Sequence, residues 1–275
     1  MTKLRKLDSF LLSIVVLYFF CVTFEVLYVI KRTYFIADNG DKSLSLLYGV
    51  FDFGYYQSVA MSSLKFLIVA GIGSFVFYYI KNSLVFINYQ QRLGYKGFLK
   101  RASLQIFSTA AVLACLTELY QMLLLSLLSK PLHFFNPSPF LVMEKKIFFT
   151  PDSLVNTLLF LLTSAIGWGI FAVFVFAINL FIKKNVLCCI SSLIIGILLI
   201  VFPGILNMVL GSSSIFSGVL YAIFVPALLA PGQMSFGGYL PPLNIGIAFL
   251  LTAVIYMTMT IIMMKLWLKK KRKFG

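Results

Sequence analysis

Long apolar runs alternate with short polar stretches along this chain, and most of the positive charge gathers in every second stretch. A helix needs about 20 consecutive apolar residues to cross the hydrocarbon core of a bilayer. The alternation therefore predicts an all-α, polytopic membrane protein with six transmembrane helices. The expected spans lie at about 10–30, 59–80, 104–128, 154–182, 186–202 and 245–266. Composition agrees: 61% of the 275 residues are hydrophobic and only 11% charged, against about 25% charged in soluble domains. A single membrane domain covering 1–275 is expected, with no large soluble domain.

A net charge of +15 in a soluble protein would point to nucleic acid. Here its distribution points to membrane topology instead. Sixteen of the 23 basic residues fall at the amino end (Lys3, Arg5, Lys6), after span two (Lys81, Arg92, Lys96, Lys100, Arg101), after span four (Lys183, Lys184) and in the tail (Lys265, Lys269, Lys270, Lys271, Arg272, Lys273). Only Asp8 accompanies them, whereas Asp38, Asp41, Asp52, Glu144 and Asp152 lie on the other side. The excess of Lys and Arg marks the cytoplasmic face, so both termini are expected inside, with anionic lipid as a neighbour. Nucleic acid is not an expected partner. The first run is too long for a signal-peptide core and has no small-residue cleavage site, so it reads as a retained span.

Two segments depart from regular alternation. In 81–101, Phe86, Tyr89 and Leu93 recur at helical spacing and Gly94 interrupts them, as in a short amphipathic helix at the interface that turns into span three. The segment 203–242 carries Pro203, Gly211, Pro226 and Pro231, and its apolar stretch, 215–230, has only sixteen residues and holds Pro226. That stretch is short for a span, and crossing would carry the basic tail outside, against the charge rule. It is expected to form a re-entrant or interfacial hairpin entering from the outer face.

Three ionisable residues sit within spans: Glu25, Lys65 and Glu118. At 1.5 Å per residue they lie about 8, 9 and 15 Å inside the outer ends of their helices. Intramembrane charges pair or face a wet cavity. The expectation is that Lys65 pairs with Glu118 or Glu25 and orders spans one to three; a proton or cation relay is the functional alternative. Other chemistry is sparse. His133 is the single histidine, the four cysteines (Cys21, Cys115, Cys188, Cys189) have no metal-ligand spacing, and no phosphate-binding loop motif occurs. No catalytic residue, metal or cofactor is assigned to this chain. Gly71-x-Gly73 and Gly167-x-Gly169 read as places where helices approach closely.

The stretch Tyr89-Gln90-Gln91-Arg92-Leu93-Gly94-Tyr95-Lys96-Gly97-Phe98-Leu99-Lys100-Arg101 resembles the cytoplasmic segment of small permeases linked to bacteriocin or lantibiotic export and immunity in Gram-positive bacteria. Asn179-Leu180-Phe181-Ile182-Lys183-Lys184-Asn185 is similar to their turn between spans four and five. With the six spans and the outer hairpin, the chain resembles the permease subunit of ABC-2-type transporters. That resemblance implies an exporter of an amphipathic peptide, drug or lipid in the plasma membrane of a bacterium, without an ATPase site of its own. A separate ATPase subunit would bind ATP and magnesium, and a second permease copy or a related permease would complete the path. It also implies an ATPase-coupling role for Phe86, Tyr89, Arg92, Tyr95 and Lys96. The competing expectations are an intramembrane protease or lipid-modifying enzyme, and a membrane immunity or scaffold protein that transports nothing.

Overall fold

The computed structural model describes residues 2–33, 42–51, 59–71, 84–129, 131–134, 148–182, 184–210, 214–234, 236 and 240–274. The described elements are helical: α1 (Thr2–Thr33), α2 (Lys42–Phe51), α3 (Val59–Lys65), α4 (Leu84–Leu128), α5 (Ser153–Asn179), α6 (Asn185–Leu210), α7 (Ser214–Ile223), α8 (Pro226–Leu229) and α9 (Ile245–Phe274). A π-helical turn, Phe66–Ala70, continues α3.

Five helices are long and apolar enough to cross a membrane, over Leu12–Lys31, Gly94–Leu128, Ser153–Asn179, Ile190–Val209 and Ile245–Lys271. The molecule is thus a multi-pass membrane protein by its helices. The second expected span, 59–80, is described only to Gly71, where Met61–Ala70 forms a shorter apolar helix.

The long helices show two-faced patterning. On α1, Tyr18, Val22, Val26 and Val29 are buried, while Leu12, Val16, Phe20, Phe24 and Leu27 point outward. Positions three or four apart share a helix face, so one stripe packs on the bundle and the other suits lipid. Helix α5 occupies the centre and is the most enclosed of the five. Around it Phe66, Trp168, Phe171, Phe174 and Tyr256 form a chain of ring contacts, with Phe66 5.6 Å from both Trp168 and Phe171 and Phe174 5.0 Å from Tyr256.

Three boundaries differ from the sequence expectation. Helix α4 carries a sharp break at Gly94 (φ 65°, ψ 169°), and its long arm starts directly after it rather than near 104. Helix α6 runs to Leu210, with Pro203 inside the helix and not in the hairpin segment. A proline within a membrane helix is tolerated where neighbouring groups satisfy the freed backbone, and Pro203 is buried. The loop after span one contains helix α2, whose Leu46, Leu47, Val50 and Phe51 are all buried. Its ring and hydroxyl dock on α5: Phe51 stacks on Phe160 at 4.6 Å, and Tyr48 Oη accepts from Asn156 Nδ2 at 2.9 Å.

After α6 the chain folds back. Helices α7 and α8 have 10 and 4 residues, too few to cross a bilayer. Helix α7 lies against α6 and α9, and the Val225 backbone NH donates to the Leu199 carbonyl at 3.5 Å. Tyr256 Oη donates to the Ile223 carbonyl at 2.8 Å, satisfying an acceptor left open at the end of α7. Residues 224–233 are buried, and Tyr221, Phe224 and Phe236 pack as a second aromatic cluster with centroids 4.8–5.9 Å apart.

Candidate functional site: a polar cluster inside the bundle

Helices α1 and α4 run in parallel, as their paired residues show: Tyr18 with Thr117, Thr23 with Tyr120 and Glu25 with Gln121. The Tyr18–Thr117 oxygens are 3.1 Å apart and the Thr23–Tyr120 oxygens 2.9 Å apart. Both threonines donate their hydroxyl hydrogens to their own helix, Thr117 to Leu113 O at 2.7 Å and Thr23 to Phe19 O at 3.0 Å. A hydroxyl has one hydrogen, so the tyrosines donate across the interface. Each such bond within a membrane is worth roughly 0.6 kcal/mol on average, and together they set the register of α1 on α4.

Beside this ladder lie the two intramembrane carboxylates, Glu118 next to Thr117 and Glu25 at the level of Gln121. Glu25 Oε2 accepts from Gln121 Nε2 at 3.1 Å. Glu118, one turn before Gln121 on the same face, meets Ser164 Oγ of α5 at 2.5 Å through Oε1. The Ser164 hydroxyl also lies 2.7 Å from the Leu229 carbonyl, in the folded-back segment. Glu25 and Glu118 are each 6% exposed and Gln121 is fully buried. Among the described residues, Glu25 Oε1, Glu118 Oε2 and Gln121 Oε1 have no hydrogen-bond partner. Lys65, 7% exposed, attracts both carboxylates electrostatically from the end of α3, where the π turn begins.

The three charged residues that the sequence placed at similar depth are therefore brought together. Their direct partners differ from expectation: the carboxylates hydrogen-bond to Gln121 and Ser164, and Lys65 acts on both at longer range. Gln121 had a sequence signal, since it shares a helix face with Glu118 inside an apolar run. Ser164 and the Leu229 carbonyl had none, because their proximity to Glu118 depends on α5 and the folded-back segment meeting there.

The coupling residues divide. Residues 84–93 are helical, while the side chains of Phe86, Tyr89 and Arg92 lie outside the described residues. Tyr95 is half-buried, with its ring edge-on to Trp267 of α9 at 5.8 Å, and Lys96 is exposed. Lys271 sits 5.8 Å from the centre of the same Trp267 ring. The start of the long arm of α4 and the basic end of α9 thus share one end of the molecule. Of the hairpin residues, Pro226 opens α8, Pro231 is buried, and Gly211 lies outside the described residues. Gly167 receives the Leu228 carbonyl at van der Waals contact or closer where a Cβ would stand, and Gly169 receives the Phe107 ring. Among the described residues no group of three or more His, Cys, Asp or Glu is placed to hold a metal ion, and Cys21, Cys115 and Cys188 are not in disulfides.

No protein-family model matches the chain, and no curated protein or solved structure is detectably similar to it.

Proposed function

We propose that this chain is the six-span permease subunit of an ATP-binding cassette exporter of the ABC-2 type, acting on an amphipathic peptide, drug or lipid in a bacterial plasma membrane. The observation that carries the reading is the broken helix α4. A helical segment at 84–93 precedes a glycine in a backbone conformation restricted to glycine, and a long membrane helix leaves at once on the other side. Such an elbow gives residues 84–93 the position of a lever joined directly to a bundle helix. In this reading Phe86 and Tyr89 fill an apolar pocket on a separate ATPase, and Arg92 and Lys96 meet acids at its rim. ATP and magnesium belong to that partner, and a second permease copy or relative completes the path.

Further support comes from the opposite end. The folded-back α7–α8 segment between α6 and α9 fits a re-entrant hairpin, since buried irregular backbone is tolerated at membrane depth when protein covers it. Helices α1 and α4 run one way and α5 and α9 the other, so the start of α1 and the end of α9 lie at the same end, which fits two cytoplasmic termini joined by an even number of crossings.

The test is co-purification of a P-loop ATPase with the tagged chain from its native membranes. Stoichiometric association is expected for the wild type, and its loss in the double variant Tyr89→Ala, Arg92→Glu. Undiminished binding by that variant overturns the coupling assignment, and a wild type that neither binds nor stimulates an ATPase supports an immunity or scaffold role instead.

A further inference from the structure

The polar cluster holds too few hydrogens for its acceptors. Ser164 has one hydroxyl hydrogen and two acceptors within reach, Glu118 Oε1 and the Leu229 carbonyl. Each short contact is a full two-centre hydrogen bond, rather than half of a bifurcated one, when the carboxyl of Glu118 supplies a hydrogen to Ser164 Oγ, which then donates to Leu229. On the α1 side the Gln121 amide holds Glu25 through its nitrogen, leaving the Gln121 and Glu25 Oε1 atoms as orphaned acceptors among the described residues. A proton on Glu25 Oε1 turns one of these orphaned acceptors into a donor. Charge points the same way. With Lys65 as an ammonium, the formal charges of Glu25, Glu118 and Lys65 sum to minus one, and a net charge inside a low-dielectric bundle is unfavourable. A single proton brings the group to zero. The other titratable groups near it, the Tyr18 phenol from α1 beside both carboxylates and the Cys115 thiol from α4 beside Glu118, are neutral in their ordinary forms.

We propose that Glu25, Glu118 and Lys65 form an intramembrane site that binds one proton, and that the proton on Glu118 latches the folded-back segment through Ser164 to the Leu229 carbonyl. The proton comes from water and returns to it; only O–H bonds form and break. Loss of the proton leaves Ser164 to serve either Glu118 or Leu229, so the tie between α5 and the folded-back segment weakens. The proposal does not rest on the ATPase partner and stands or falls separately from it.

Infrared difference titration of the full chain in liposomes, in potassium buffer from acid to alkaline pH, reads the site directly. The wild type should show the carbonyl band of one buried protonated carboxyl, shifting in deuterium oxide and disappearing as pH rises. Glu25→Gln and Glu118→Gln should each lose the band, because Lys65 alone then neutralises the remaining carboxylate. Lys65→Met should double it. Absence of the band in the wild type, or its persistence unchanged in both glutamine variants, overturns the proposal. Loss of the band when sodium replaces potassium at constant pH overturns it in favour of a sodium site. If Lys65→Met does not fold, the wild type and the glutamine variants decide. Hydrogen exchange reads the latch: protection of backbone amides in 225–234, corrected for intrinsic rates, should fall as the band disappears. In Ser164→Ala that protection should be low at every pH with the band retained; pH-independent protection in the wild type overturns the latch.

Discussion

At the scale of single residues, the membrane interior turns ordinary polar side chains into determinants of register. Gln121 is the clearest case. Its amide nitrogen is the described donor to Glu25, so Gln121→Leu leaves a buried carboxylate oxygen unsatisfied. The expected loss is about 1–3 kcal/mol, measurable as a lower unfolding midpoint in detergent. The charged trio should also behave as a unit. Lys65→Met combined with Glu118→Gln should depart from additivity by about 0.5–3 kcal/mol, and strictly additive losses of folded protein would show that the long-range attraction does not matter. The residues that carry charge inside spans were legible in the sequence because they interrupt apolar runs. Their actual partners were not, because a serine and a backbone carbonyl look the same in every helix until two elements meet.

Secondary elements show what local pattern can and cannot place. Gly94 was visible as an interruption at the end of a basic amphipathic stretch, and the structure puts the bend there. Its φ of 65° with ψ of 169° is essentially a glycine conformation, and a Cβ would meet nothing within 4 Å. Gly94→Ala should therefore cost about 1–3 kcal/mol through backbone strain alone, read as a shift in thermal midpoint with no loss of packing elsewhere. Gly167 is the opposite case, limited by space: a Cβ would meet the Leu228 carbonyl carbon at 2.8 Å. Gly167→Val should cost about 1–3 kcal/mol by overpacking and raise hydrogen exchange selectively in 225–234. Helix α2 escaped the sequence reading because the polar residues around it hid a 10-residue amphipathic helix. Proline 203 misled in the other direction. Proline ends helices in water, where solvent takes the freed carbonyl, but within the bundle α6 continues past it to Leu210.

For the whole molecule, the directions of the helices and the position of the basic ends bear on topology. Tyr95 and Trp267 bring the start of the long arm of α4 to the basic end of α9, and α1 runs parallel to that arm. Reporter tags on the two termini should therefore be protected together from protease added to intact cells and become accessible together when the membrane is opened. Cleavage of only one tag in intact cells would mean an odd number of crossings and exclude the six-span reading. The sequence by itself determined the solvent of this protein: a chain with 11% charged residues and spans of about 20 apolar residues has to satisfy its backbone within helices, whatever its neighbours do. Hydropathy is a property of each residue and sums along the chain, so it survives without knowledge of contacts. What only the tertiary structure decided is which carboxylate meets which donor, and that the segment around Leu229 closes over the Glu118–Ser164 pair. Those facts depend on crossings between helices far apart in the chain, where a glycine at 167 admits a carbonyl and one serine hydroxyl meets two oxygens.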